Sequence, residues 1–302
     1  MKQLRYVFTI AWASITAFAA SAAFATNENF LEVAPGVEIF FQDSGPTDAE
    51  RPALIFVPGW TFSSEIFSHQ IAHFSKSYRV IVPDPRSQGR STVTISGNDY
   101  PTHANDLKQL IGHLGLKRFV LIGWSFGCLE TWGYIKANGI DAVAGHICID
   151  LPPKPLSTNA DDWVEGPLDD IAAGYHTFLR TPQGQREFVQ WYADEVMVQR
   201  DLSADEMSWL VAQSLRSPPY VAAALFASGN FSNYLPEAKI LDKSRPSLFV
   251  VAEHWSATAV PYLARTLPNT KVEILGGHLM FWEYPQKFNQ LLDEFLAKAS
   301  SK

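Results

Sequence analysis

The chain has 302 residues, 47% of them hydrophobic and 13% aromatic, and a formal net charge of −7. That length supplies one sizeable core, and the acidic balance, with no Lys/Arg patch interleaved with aromatics, excludes a nucleic-acid partner. Two cysteines, Cys128 and Cys148, are too few for a disulfide-built domain. They are either two buried thiols or a single bridge.

Lys2 and Arg5 precede a mostly apolar stretch from Tyr6 to Phe24, and Ala23-Phe24-Ala25 forms an A-x-A site. Residues 1–25 therefore read as a secretory signal peptide cleaved before Thr26. The stretch is rich in Ala, Ser and Thr and only just long enough to span a bilayer, which argues against a retained anchor. Loss of Lys2 and Arg5 takes the charge from −7 to −9. The expectation is a periplasmic or secreted protein with no stable membrane span after signal cleavage.

From residue 37 onward, short runs rich in Val, Ile and Phe alternate with helical patterns. VEIFFQ (37–42) follows the Pro35-Gly36 turn as a strand; ALIFV (53–57), YRVIV (78–82), RFVLI (118–122) and GHICI (145–149) continue the series. Helices are predicted over 64–75, 102–114 and 126–137 between them. Unbroken apolar strands separated by helices imply a parallel sheet covered on both faces. Residues 151–245 contain no convincing strand and several helical stretches (169–180, 184–198, 203–215). SLFVV (247–251), KVEIL (271–275) and a last amphipathic helix (285–298) then resume the alternation. The organisation predicted is an α/β core domain of 26–150 and 246–302 around a mostly parallel, doubly wound sheet of about eight strands, with 151–245 inserted as a helical cap. PPKP (152–155) and KSRP (243–246) mark its junctions.

The stretch FVLIGWSFGCLE (119–130) carries the chemistry. A strand runs into Gly-Trp-Ser-Phe-Gly and a helix follows, which is the context of a nucleophile elbow. Strand and helix nearly touch there, so the positions two residues from Ser125 must lack bulk, hence Gly123 and Gly127. A serine hydroxyl needs a base. His278, in ILGGHLMFWEYP after the last strand, lies on the same sheet edge as Ser125 and is the candidate. His69 and His73, spaced i, i+4, lack a nearby carboxylate or third ligand in register and read as a solvated helix face. His103 reads as part of a helix start. Asp84 and Arg86 read as braces of their turn, and Asp106 and Lys108 as a helix face.

Together these motifs resemble the α/β-hydrolases over essentially the whole mature chain. VPGW (57–60) is similar to the family's oxyanion loop, DPRSQGRS (84–91) to its D-x-R-G-x-G-x-S turn, 105–127 to its helix, strand and elbow, and GGH with WEYP to its histidine loop. The nearest flavour is the non-haem chloroperoxidase and esterase group. Pro58 stands where that group has a histidine, and Ser87 replaces the usual turn glycine. The resemblance implies backbone oxyanion donors at Trp60 and Phe126. The family's acid usually follows the seventh strand, yet this chain reads VVAEHWSATA there, the expected position falls on or near Trp255, and no aspartate occurs between Asp242 and Asp293. Asp150, at the tip of the sixth strand, and Glu253 are the two candidates for orienting His278, with Asp150 preferred.

In the family, an insertion at this point caps the site. Its aromatics (Trp163, Tyr175, Phe178, Phe188, Trp191, Tyr192, Trp209, Tyr220, Phe226 and Phe231) mostly pack the cap, and some line the cleft. Trp60, Trp124 and Met280 flank the catalytic residues, and Trp124 and Met280 are expected to touch substrate. The reaction implied is hydrolysis of a carboxylic ester, lactone or amide of a small apolar substrate through an acyl-enzyme, with no cofactor and no metal. Rival readings are a lyase, C–C hydrolase or perhydrolase using the same triad, and a non-catalytic ligand-binding protein on a hydrolase scaffold.

Overall fold

The computed structural model describes residues 27–45, 51–177 and 179–300; the signal reading of 1–25 and Phe178 lie outside them. Eight strands form a single sheet. They are β1 (Asn27–Ala34), β2 (Val37–Asp43), β3 (Ala53–Val57), β4 (Val80–Pro83), β5 (Phe119–Trp124), β6 (Val143–Ile149), β7 (Ser247–Val251) and β8 (Lys271–Ile274), in spatial order β1-β2-β4-β3-β5-β6-β7-β8. From β4 to β8 every pairing is parallel; β2 runs antiparallel to both β1 and β4. β3, β4, β5 and β7 are buried at every position. That is why they read as continuous apolar runs rather than alternating ones.

β1 has no counterpart in the sequence reading. NENFLEVA is poor in β-branched residues, and Phe30 is 53% exposed. The strand exists through its hairpin partner: Gly36, at φ 72°, turns the chain and β1 pairs with β2 along nearly its whole length.

Both faces of the sheet are covered by helices. α1 (Ser68–Phe74) and α11 (Pro285–Ser300) cover one face, burying Ile71, Phe74, Phe288, Leu292 and Leu296 against Leu54, Phe56 and Ile122. On the other lie α2 (Tyr100–His113) and α3 (Gly127–Asn138), which bury Leu107, Leu110, Leu129 and Trp132 against Ile55, Leu121 and Cys148. The predicted helix over 64–75 opens as a 3₁₀ turn (Ser64–Phe67), with Ser63 capping the Glu65 amide, before α1 begins. α2 begins at Tyr100 because the Asp99 carboxylate accepts from Thr102 N–H, with Pro101 in the first turn. His103 therefore does not start it; its side chain is buried, with Nδ1 3.7 Å from Glu130.

Between β6 and β7 the described residues hold helices and no strand: α4 (Leu168–Thr177), α5 (Pro182–Tyr192), α6 (Ala204–Ser214), α7 (Pro219–Asn230) and α8 (Leu235–Ser244). α5 runs on into one π turn, Ala193–Met197. α8 packs on α3, burying Ala238 and Leu241 in the sheet's own core, and so serves as the crossover helix to β7. α9 (Ser256–Thr266) and the short α10 (Met280–Glu283) complete the chain. No helix among the described residues is long and apolar enough to cross a membrane.

The turn after β4 is braced as expected. Asp84 accepts from the amides of Ser64 (2.6 Å) and Arg90 (2.8 Å), and burial holds its carboxyl above the usual range despite those bonds. Ser87 keeps the left-handed conformation, φ 62°, that a glycine would adopt freely, and its hydroxyl accepts from Thr94 N–H. Asp106 is a correction: it is not on an open helix face but forms a two-pronged pair with Arg86, at 2.8 and 2.9 Å, with side chains only 9% and 4% exposed. Lys108 does face solvent. Removing one partner strands a buried charge. Asp106→Ala is therefore expected to lower unfolding free energy by about 3–5 kcal/mol in urea melts, while Lys108→Ala stays within about 0.5 kcal/mol.

Candidate active site

Ser125 sits between β5 and α3 at φ 52°, a conformation costly for a residue with a side chain. The elbow is pinned on both sides: Ser125 N–H donates to Ile149 O (2.8 Å), and Cys128 N–H donates to Ser125 O (2.8 Å). A Cβ on Gly123 would lie 2.6 Å from the Cys128 backbone, and one on Gly127 would lie 2.4 Å from Val57 O. These contacts account for glycine at both positions. Within 119–130, Ser125 alone has appreciable exposure. It borders a cavity of about 580 Å³ at the carboxyl edge of the sheet.

His278 borders the same cavity. Its Nδ1 lies 2.6 Å from Asp150 Oδ2, and neither residue exceeds 2% exposure. Asp150 follows β6 at φ 57°. Its N–H donates to Val250 O (2.9 Å), and its Oδ1 accepts from Ala252 N–H (2.8 Å). Both carboxylate oxygens are thus engaged, one by the backbone after β7 and one by the histidine. Of the two acids foreseen, Glu253 does not hydrogen-bond to His278: it is exposed, and its carboxylate accepts from Gln199 Nε2 at 2.9 Å. Trp255, where the acid was expected, lines the cavity instead. With Nδ1 committed to Asp150, Nε2 is the ring nitrogen left for Ser125. No hydrogen bond joins Ser125 Oγ to the ring here, as is common before substrate tightens a site.

The histidine loop is clamped from two directions that the sequence did not reveal. Trp124 Nε1 donates to His278 O at 2.8 Å. From the π turn after α5, Val196 O accepts from His278 N–H (3.0 Å), and Met197 O accepts from Leu279 N–H (2.7 Å). A Cβ on Gly277 would lie 2.6 Å from Met197 O, so the second glycine of GGH permits that approach. The Tyr192 ring meets the imidazole edge-on, with centroids 5.5 Å apart.

The oxyanion loop is equally fixed. Thr61, at φ 62°, donates its N–H to Gln88 Oε1, and the Trp60 indole donates to Ala222 O of α7 at 2.8 Å. The Trp60 and Phe126 amide N–H groups have no acceptor among the described residues. Phe126 N–H also stands at the N-terminus of α3, where the helix dipole favours negative charge. Trp124 lines the cavity as expected. Met280 does not: it is fully buried among Phe281, Phe288 and the α11 side of the core, and Met197 is the methionine that borders the cavity. From the cap, Phe188, Trp191, Tyr192 and Phe226 reach the cavity. Trp163 is buried against Phe249, Trp209 stacks on Trp282, and Tyr175, Tyr220 and Phe231 are exposed.

Cys128 and Cys148 are free thiols, both buried, and burial pushes the Cys148 thiol well up. His73 pairs with Asp293 at 2.8 Å.

Glu165, in the loop before α4, was not singled out in the sequence because only the tertiary fold brings it to the cavity. Burial raises its carboxyl to about 7, outweighing the attraction of His278, and Asp150 adds to the rise. Tyr192 is likewise pushed well up, mainly by burial and then by Glu165 and Asp150.

The chain belongs to the alpha/beta hydrolase fold family, whose model matches residues 52–285. It is 34% identical over 146 residues to a bifunctional esterase/perhydrolase of Acinetobacter calcoaceticus, covering 47% of this chain and 52% of that protein. It is 32% identical over 157 residues to a non-heme haloperoxidase of Rhodococcus erythropolis, covering 52% and 56%. The matched region thus spans about half the length of these two relatives. The fold is shared with the crystal structure of a bromoperoxidase from Bacillus anthracis, at 19% identity, TM-score 0.80 and coverage of 90% of this chain and all of that one. The protein is accordingly an α/β-hydrolase, and the relatives it resembles over about half their length are named as an esterase/perhydrolase and a haloperoxidase.

Glu165 ionises near 7 in the fold and in the ordinary carboxyl range when unfolded. Between those values the folded state holds the extra proton, so stability falls as pH rises through that window. Glu165→Gln, which mimics the protonated form, is expected to raise Tm over the parent by about 2–4 °C near pH 8 and not near pH 4 in thermal melts.

Proposed function

We propose that this chain is a serine ester hydrolase that acts on an apolar acyl substrate through an acyl-enzyme, in the periplasm or outside the cell once residues 1–25 are removed. The observation that carries the reading is the buried Asp150–His278 pair facing the cavity that holds the strained Ser125. Ser125 Oγ attacks the substrate carbonyl carbon while His278 Nε2 takes its proton. Negative charge develops on the former carbonyl oxygen, for which the Trp60 and Phe126 amides are free donors. Collapse of the tetrahedral intermediate breaks the ester C–O bond. His278 returns the proton to the leaving alkoxide, and a water then repeats the sequence on the acyl-serine. Asp150 keeps the Nδ1 proton in place and stabilises the imidazolium. The aromatic lining selects apolar acyl and alcohol groups.

Perhydrolysis is the second reading, favoured by the relative named as esterase and perhydrolase. It shares the acyl-enzyme and replaces the attacking water with hydrogen peroxide.

A fluorophosphonate probe is expected to label the purified protein, and Ser125→Ala to abolish labelling; an unlabelled wild type points to a binding protein instead. With a p-nitrophenyl ester, Asp150→Asn is expected to lower kcat by about 10³–10⁴ and Glu253→Gln to leave it near wild type. The opposite ranking returns the acid's role to Glu253.

A further inference from the structure

The cavity around Ser125 is walled by aromatic rings, yet its cap side carries two carboxylates, Glu165 and Asp170. No Lys or Arg lies among the described residues that line it. Neither carboxylate has a hydrogen-bond or ion-pair partner among the described residues, in contrast to Asp150, whose two oxygens are both used. Glu165 is held at its main chain, where its N–H donates to Pro155 O at 2.9 Å. In the lining of the same cavity, Trp60, Phe188, Tyr192 and Phe226 form a connected set of rings. Trp60 meets Phe188 edge-on at 5.7 Å and Phe226 at 6.0 Å, and Phe188 stacks on Tyr192 at 5.9 Å.

Aromatic faces carry partial negative charge and attract cations, most strongly where water is excluded. A carboxylate placed among such rings without a counter-charge is unfavourable until something positive arrives. Burial raises the Glu165 carboxyl to about 7, so a cation placed beside it would favour its charged form. An anionic substrate group would meet the same field as repulsion.

We propose that the substrate carries an ammonium group, quaternary or tertiary, seated between the aromatic rings and the Glu165 carboxylate, with Asp170 supplying a second negative charge. This deepens the ester-hydrolase reading and rests on it for the scissile group, but replaces a wholly apolar substrate with one that carries a cationic head beyond its apolar chain. Glu165 is then a specificity residue: it touches the cation, while Ser125 and His278 act on the ester carbonyl.

The test compares the p-nitrophenyl ester of trimethylammonio-butyrate with its all-carbon isostere, in which a quaternary carbon replaces the nitrogen. Wild type is expected to favour the cationic ester in kcat/KM by about tenfold or more. Glu165→Gln should collapse the ratio of the two values towards one, and Asp170→Asn should lower it less. A wild-type preference for the neutral ester, or a ratio untouched by Glu165→Gln, overturns the proposal.

A second measurement does not depend on turnover. Tetraethylammonium titrated into the Ser125→Ala protein should give saturable tryptophan quenching that weakens about tenfold in the Ser125→Ala/Glu165→Gln double variant. Saturable binding without turnover of either ester keeps the cation site and removes the hydrolase reading. Turnover with no ratio and no saturable binding does the reverse.

Discussion

A carboxylate with no exposed surface, held 2.6 Å from an imidazole that is itself almost wholly buried, is the interaction on which the site depends. Such a charge is tolerated only when its oxygens are satisfied, and Asp150 meets that condition with one histidine nitrogen and one backbone amide. The sheet order makes the arrangement possible. β5, β6 and β7 are parallel neighbours, so the elbow after β5, the acid after β6 and the amide after β7 all emerge at one edge. The histidine loop after β8 then needs only to fold back across that edge.

Among the described residues, four non-glycine residues hold positive φ: Thr61, Ser87, Ser125 and Asp150. Thr61, Ser125 and Asp150 belong to the candidate site and its oxyanion loop, and Ser87 occupies the family's glycine position in the braced turn. Each is over-determined by its surroundings. Gln88 takes the Thr61 amide, Ser87 is tied to Thr94, Ile149 O takes the Ser125 amide, and Val250 O takes that of Asp150. The strain persists because the neighbouring hydrogen bonds leave the backbone no easier conformation.

Ser125 and His278 were legible because their constraints are local: glycines at fixed offsets, a strand before and a helix after. The parallel core was legible for the same reason, since strands buried on both faces leave unbroken apolar runs. Asp150 and Glu253 both follow strands of this edge, and only the fold distinguishes an inward carboxylate from an exposed one. Met280 was misread because adjacency to His278 in sequence does not set direction; in α10 its side chain is buried in the core cluster that includes Phe281. β1 was missed because it is held by pairing rather than by its own composition. Asp106 looked like surface because its partner Arg86 lies on a separate loop. Glu165, Tyr192 and Met197 reach the site only through the way the helices between β6 and β7 pack, which no spacing rule encodes.

The bonds from Val196 and Met197 to the histidine loop tie the roof of the cavity to the proposed base, His278. A roof that swung open as a door would pull the imidazole away from Asp150 and dismantle the proton relay with every opening. Passage of molecules that leaves these bonds in place keeps the Asp150–His278 pair assembled from one turnover to the next.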